Sequence, residues 1–128
     1  EEAENERMHL MIFIEIAKPN WFERWMIIGA QFLFWHFYMI LYIFFPKVAH
    51  RMVGYFEEQA VISYTSYLKA IELGKIKNIN APDIAVNYYG LNKDAKLSDV
   101  IIAVREDERG HSQANHSMAD TLEYANDR

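Results

Sequence analysis

Asn5-Glu6-Arg7-Met8-His9, near the start of the chain, shares its pattern with Asp107-Glu108-Arg109-Gly110-His111, about a hundred residues later. Each stretch has an amide or acid, then Glu, Arg, any residue and His. On a helix, a Glu and a His three residues apart lie on one face, within reach of one metal ion. Two such pairs, with single Glu residues from two further helices, are the ligand pattern of di-iron and di-manganese bundles. The two stretches therefore predict an all-α, ferritin-like four-helix bundle with a dimetal site.

The composition limits both the partners and the metals. The 128 residues are 52% hydrophobic, which is enough for the core of one domain or of part of one. A net charge of −5 argues against nucleic acid as a partner. The chain has no cysteine, which excludes thiolate zinc sites and iron–sulfur clusters. A metal here must be held by carboxylate and imidazole groups, and these ligands suit iron or manganese.

Helix-start and helix-stop signals divide the chain. Pro19 ends a first helix, Asn20 with Glu23 forms a capping box for a second, Pro46 starts a third and Gly74 ends it. We predict helices over 1–17, 21–45, 46–74 and 97–123, with a short helix at 82–89 between turns. Residues 1–4 enter helical sequence without a cap, so we expect the chain to be part of a longer one.

The third helix supplies another carboxylate. His50, Glu57 and Tyr64 are seven residues apart, so they share one helix face, whereas Glu58 lies about 100° away from it. Glu57 is therefore a better candidate ligand than Glu58. His116, five residues after His111, is a weaker candidate because it points away from the face of His111.

Residues 25–45 carry no charge and are long enough to span a bilayer. Basic residues flank this run on both sides. If the run is a crossover between bundle helices, the helix lengths bring Glu57 back to the same height along the bundle axis as Glu6. We favour a crossover helix that lies in the membrane interface with one apolar face outward, and keep a spanning helix as the alternative.

These residues resemble the alternative oxidase family, the non-electrogenic quinol oxidases of mitochondria and some bacteria. The segment 5–11 reproduces that family's signature, and Phe56-Glu57-Glu58-Gln59-Ala60 is close to its Leu-Glu-Glu-Glu-Ala. The segment 105–111 resembles its Arg-Ala-Asp-Glu-Ala-His-His, and connecting residues match along most of the chain. The chain is thus expected to be a single partial domain over 1–128, the C-terminal three quarters of a di-iron domain.

The resemblance implies a role for each candidate residue. Two iron ions would be bound by Glu6, His9, Glu57, Glu108 and His111. Side chains that contact these ligands would be Asn5, Asp107, His50, Tyr88 and Tyr89. Tyr64 would be the catalytic tyrosine beside the metals, and the quinol would contact Ser63, Tyr64, Gln59 and Ala60. The sequence departs from the family pattern at Gln59, Ser63, Tyr89 and Gly110, none of which is an expected ligand.

The implied activity is the oxidation of ubiquinol coupled to four-electron reduction of O2 to water, without proton pumping, in a cyanide-resistant respiratory branch. We expect a homodimer on the surface of the mitochondrial inner membrane or the bacterial cytoplasmic membrane. The family's first Glu ligand would precede residue 1, so these 128 residues alone are expected to be inactive. Two alternatives are a soluble ferritin-like di-iron protein for storage or hydroxylation, and a non-enzymatic helical membrane protein.

Overall fold

The structure, a computed structural model, describes residues 2–126, and for 123–126 the backbone alone. The described residues form helices and no extended strand, as the sequence predicts. The helices are α1 (Glu2–Ala17), α2 (Trp21–Phe44), α3 (Pro46–Glu72), α4 (Asp83–Tyr89) and α5 (Leu97–Asn126). Their ends lie within three residues of the predicted ones, and the predicted first helical residue, Glu1, lies outside the described part.

The predicted signals act at the boundary between α1 and α2. Lys18 has a φ of 47°, a left-handed conformation, and its N–H donates to the carbonyl oxygen of Ile14, which closes the last turn of α1. The Asn20 side chain accepts from the N–H groups of Phe22 and Glu23, and the Glu23 carboxylate accepts from the Asn20 N–H. This capping box satisfies donors that the first turn of α2 leaves open.

Glycines end the next two helices. Gly74, with a φ of 70°, follows α3, and Gly90, with a φ of 61°, follows α4. Both need the left-handed conformation that glycine adopts without a Cβ clash. Between them, an isolated antiparallel bridge joins Asn80 to Lys96 and holds the connecting segment against the start of α5.

The chain forms two compact units. The first contains α1, the part of α3 from Glu57, α4, and α5 up to Gly110. Its buried core joins α1, α4 and α5, and partly buried rings from α3 and α4 pack against it. The fully buried members are Ile12, Ala85, Val100 and Val104. Because the candidate ligands of α1, α3 and α5 up to Glu108 belong to this unit, its core determines how they are arranged.

The second unit contains α2, α3 up to Phe56, and α5 from His111. None of the α2 side chains is buried, although the helix is long and apolar enough to cross a membrane. Within the described residues it is the one helix that meets this criterion. In this unit the first part of α3 packs on the last part of α5, where Ala49, Gly54, Ser112 and Ala119 are buried.

Candidate metal centre

His9 is the buried centre of the candidate site in the first unit. Only 4% of the residue is exposed, and its two ring nitrogens face different carboxylates. Nδ1 lies 3.6 Å from Glu6 Oε1 and 3.3 Å from Glu108 Oε1. Nε2 lies 3.1 Å from Asp107 Oδ2. An ionised Asp107 can only accept, so Nε2 carries a proton, and Nδ1 is the nitrogen that faces Glu6 and Glu108 and that a metal would bind.

The carboxylates of both sequence motifs meet at this histidine. Oxygens of Glu6 and Glu108 lie within 4.8 Å of each other, although the two residues are about a hundred positions apart in the sequence. Glu108 is 6% exposed, whereas the Glu6 side chain is 47% exposed. Two carboxylates this close repel each other unless a proton or a cation lies between them. The first unit therefore brings Glu6, His9 and Glu108 together, and their role as metal ligands stays a prediction.

Glu57 is buried on α3, and its neighbour Glu58 is exposed. Only 7% of Glu57 is accessible, as the shared face with Tyr64 predicts. A carboxylate oxygen of Glu2 lies within 4.8 Å of one of Glu57. Sequence reasoning missed Glu2, and the available signal was its position one helical turn before Glu6, on the same face of α1.

His111 begins the second unit, three residues after Glu108 in the continuous helix α5. Its imidazole is half-buried there. The pairing of His111 with Glu108 at one metal ion stays a prediction.

Asp107 lies at the centre of a hydrogen-bond network in the first unit. Its Oδ2 accepts from Asn5 Nδ2 at 2.9 Å, from the Tyr89 hydroxyl at 2.7 Å and from His9 Nε2 at 3.1 Å. Asn5 Nδ2 also lies 2.8 Å from the Tyr88 hydroxyl oxygen. Four of the five residues predicted to contact the ligands, namely Asn5, Asp107, Tyr88 and Tyr89, therefore come together beside His9. Such contacts orient a ligating imidazole and make it a better donor to a metal.

Opposing effects determine the charges in this network. Burial raises the pKa of Asp107, but hydrogen bonds from Asn5, Tyr89 and His9 outweigh it and hold the pKa below its usual value. Burial lowers the pKa of His9, yet the carboxylates of Glu108, Asp107 and Glu6 together raise it above its usual value. Without a cation, the carboxylates thus favour a protonated His9, so His9 lies in a strongly cation-attracting environment.

Tyr64 is half-buried on α3, with its ring stacked on Phe13 at a centroid distance of 5.8 Å. Burial, followed by the charges of Glu108 and Glu6, raises the pKa of its phenol. The neutral phenol is therefore the stable form near neutral pH. Because the charges of Glu6 and Glu108 both raise the pKa of Tyr64, its phenol lies within the electrostatic field of the carboxylates around His9.

The predicted quinol-contacting residues follow one another along α3. Ser63 and Gln59 are exposed, and Ala60 and Tyr64 are partly exposed. The Ser63 hydroxyl donates to the Gln59 carbonyl oxygen at 2.8 Å, one turn earlier in the helix. That bond uses the hydroxyl hydrogen and leaves oxygen lone pairs as acceptors. The four residues form an accessible strip on α3 that reaches Tyr64.

His50 lies in the second unit, where its Nδ1 donates to Asn115 Oδ1 at 2.9 Å. Asn115 is 3% exposed and donates in turn to the carbonyl oxygen of His111 at 3.1 Å. His50 is therefore connected to the backbone of a candidate ligand through one buried amide. Its predicted contact with the ligand side chains stays a prediction.

The donor set fits iron better than it fits most other metals. Carboxylate oxygens and an imidazole nitrogen converge in the first unit, and the chain contains no thiolate. Carboxylates with imidazole are the ligands of non-haem iron and manganese sites, whereas zinc and copper sites usually include more nitrogen or sulfur. A cation there would replace the repulsion between Glu6 and Glu108 with attraction, so the residues present fit the group that the sequence implies.

These observations define a class of protein: an all-helical chain whose helices gather carboxylates and an imidazole into a candidate dimetal centre. The alternative oxidase family matches residues 1–120, and the chain belongs to that family. Family membership and the five helices confirm the predicted fold class, a partial bundle of the di-iron carboxylate type.

Three plant relatives show how much of such a protein the chain covers. Mitochondrial ubiquinol oxidase 1c of Arabidopsis thaliana is 55% identical over 94% of this chain and 36% of its own length. Mitochondrial ubiquinol oxidase 2 of Glycine max is 53% identical over 94% of this chain and 36% of its own length. Mitochondrial alternative oxidase 3 of Glycine max is 53% identical over 94% and 37%. The chain thus spans slightly more than a third of these relatives.

Proposed function

We propose that the protein is a ubiquinol oxidase that oxidises two quinols and reduces one O2 to two waters at a di-iron centre. The observation that carries this proposal is the match of residues 1–120 to the alternative oxidase family, with more than 50% identity to proteins named ubiquinol oxidases. The cluster of Glu6, His9 and Glu108 supports it independently, because three helical donors converge without any lysine or thiolate among them.

Five residues hold the iron ions in this proposal: Glu6, His9, Glu57, Glu108 and His111. Bound iron supplies the one-electron chemistry that connects quinol oxidation to O2 reduction. Two ferrous ions carry a charge of +4, and the carboxylates offset most of it, which favours a stable reduced centre in a partly buried site. Glu2, beside Glu57, supplies a further carboxylate close to this set.

The residues around His9 have separate tasks. Asp107 accepts a hydrogen bond from His9 Nε2–H, which fixes the tautomer in which Nδ1 would bind iron. Asn5, Tyr88 and Tyr89 hold Asp107 in place through their hydrogen bonds. Tyr64 is the proposed catalytic residue, because its neutral phenol could donate a proton or an electron near the carboxylates.

The strip of Gln59, Ala60, Ser63 and Tyr64 is the proposed quinol contact. Ser63 oxygen and the Gln59 amide offer hydrogen-bond partners to the quinol oxygens, and Ala60 leaves room for the ring. The strip leads to Tyr64, so a quinol lying along it would have its oxygens close to the Tyr64 phenol.

We also propose that α2 lies in the membrane interface. Its side chains are exposed and mostly apolar or aromatic, and basic residues flank it, as in helices that lie along a bilayer surface. Quinol partitions into the bilayer, so an interfacial α2 would keep the enzyme beside its substrate. The relatives are named mitochondrial, which supports a mitochondrial location. A homodimer on the inner mitochondrial membrane is the form to test.

The proposal is tested with the intact protein purified with bound lipid. We expect about two iron ions per chain and cyanide-insensitive O2 uptake that consumes two quinols for each O2. Absence of iron after reconstitution with ferrous salt would contradict the proposed centre. Iron binding without quinol oxidation would favour the soluble ferritin-like alternative, and release from membranes without detergent would count for it as well.

A further inference from the structure

Gly54 and His116 are in close contact in the second unit. A Cβ atom added to Gly54 would lie 2.8 Å from His116 Cε1 and Nε2, and 2.9 Å from Nδ1. Real Cβ atoms are essentially never found so near other heavy atoms, so the imidazole occupies the space that a side chain at position 54 would need. The first part of α3 and the last part of α5 thereby approach closely at this point.

Other contacts hold the same two helix segments around this glycine. Ser112, buried and one turn before His116, donates its hydroxyl to the Gly54 carbonyl oxygen at 2.9 Å. Arg51 Nη1 donates to His116 Nδ1 at 3.0 Å, and Arg51 also pairs with Asp120. The Tyr55 ring packs edge-on against the imidazole, with the two ring centroids 4.9 Å apart. Two successive turns of α5 are therefore fixed against Gly54.

The neighbouring face of these turns, about 100° around α5, carries His111. Asn115 Nδ2 donates to the His111 carbonyl oxygen, and His50 donates to Asn115 Oδ1. His50 and Gly54 are one turn apart on α3, and His111 and Asn115 are one turn apart on α5. The contact at Gly54 determines how α5 is rotated about its axis. At that rotation, Asn115 also meets His50.

We propose that Gly54 and His116 are positioning residues for His111. Their contact sets the rotation of α5 about its axis, and the His50–Asn115 pair then holds the turn that carries His111. The inference rests on the proposed iron centre, because His111 needs a defined direction only if it binds a metal. It also assigns a role to His116, which the sequence pattern placed off the ligand face.

The experiment compares ferrous-iron affinity and the mixed-valent electron paramagnetic resonance spectrum of the intact protein and its variants. Gly54→Ala inserts a Cβ against the imidazole, and Gly54→Ala/His116→Ala removes the ring that it meets. Gly29→Ala is the matched control, since a Cβ there has no atom within 4 Å. Circular dichroism measures the helix content of each protein.

We expect Gly54→Ala to lower iron affinity about tenfold to a hundredfold and to change the spectrum, with helix content unchanged. The double variant relieves the clash but lacks the ring, so its affinity should stay below that of the wild type, and Gly29→Ala should match the wild type. Wild-type affinity and spectrum in Gly54→Ala would overturn the inference, and so would full wild-type affinity in the double variant, which has no contact between residues 54 and 116.

If Gly54→Ala does not fold, Asn115→Leu decides, because it removes the contacts to His50 and to the His111 carbonyl at similar volume. A loss of about tenfold in iron affinity supports the inference, and unchanged affinity overturns it. Wild-type protein that binds no iron would sink the proposed centre together with the inference. Wild-type protein that binds iron, with unaffected variants, would sink the inference alone.

Discussion

Asp107→Ala is the sharpest test of the network around His9. Asp107 Oδ2 accepts three hydrogen bonds, from Asn5, Tyr89 and His9, and the side chain is 30% exposed. A hydrogen bond to a charged group contributes about 1.5–3 kcal/mol, and stranding a buried donor costs about 1–3 kcal/mol. Asn5 keeps its contact with Tyr88. The Tyr89 hydroxyl can turn toward water, so most of the lost hydrogen-bond energy falls on the buried His9.

We therefore expect the metal-free Asp107→Ala protein to lose about 2–3 kcal/mol of unfolding free energy. This is less than the sum of three separate hydrogen-bond energies, because contributions from bonds to one atom are not additive. Iron affinity should fall about tenfold to a hundredfold, because the His9 tautomer and ring direction are no longer fixed. Asp107→Asn keeps the shape and one acceptor oxygen but loses the charge, so its effects should be intermediate.

The assays are urea unfolding of the metal-free protein and calorimetric titration with ferrous iron. Asp94→Ala is the matched control, because Asp94 is exposed on the segment between α4 and α5. If Asp107→Ala matched Asp94→Ala in both stability and iron affinity, the hydrogen bonds to Asp107 would have no energetic role and the reasoning would be refuted.

Three further predictions follow from single contacts. Glu57→Ala should lower iron content while Glu58→Ala keeps it, because only Glu57 is buried; equal iron content in the two variants would remove Glu57 from the ligand set. Ile12→Ala should cost about 2–5 kcal/mol in a denaturant titration, since Ile12 is fully buried in the core of the first unit, and a loss below about 1 kcal/mol would contradict that packing. Asn20→Ala should cost about 0.5–2 kcal/mol by removing the α2 cap, which thermal unfolding can measure; unchanged stability would show that the capping box does not stabilise the helix.

The helices and their ends were predictable because their causes are local. The capping box of Asn20 and Glu23 specifies the start of α2, and Gly74 specifies the end of α3. Both act through hydrogen bonds to residues a few positions away. The difference in burial between Glu57 and Glu58 was equally predictable, since a helix period of 3.6 residues decides which of two neighbours faces inward. The doubled Glu-x-x-His motif and the absence of cysteine likewise determined the chemistry of the candidate donors.

What the sequence could not supply depends on contacts between distant residues. It identified Asp107 as a partner of the ligands, but only the tertiary structure showed that Asn5, Tyr89 and His9 share one of its oxygens. Nor did the sequence reveal Glu2 beside Glu57, because that proximity depends on how α1 packs.

The sequence by itself thus determined an all-α chain of the alternative oxidase family, its helix boundaries to within three residues, and a set of candidate metal ligands. The tertiary structure decided which nitrogen of His9 faces Glu6 and Glu108, and it brought Gly54 against His116. The physical reason is that caps and helix faces depend on residues a few positions apart. Ring orientation and close backbone approach depend instead on packing between helices that the sequence separates by tens of residues.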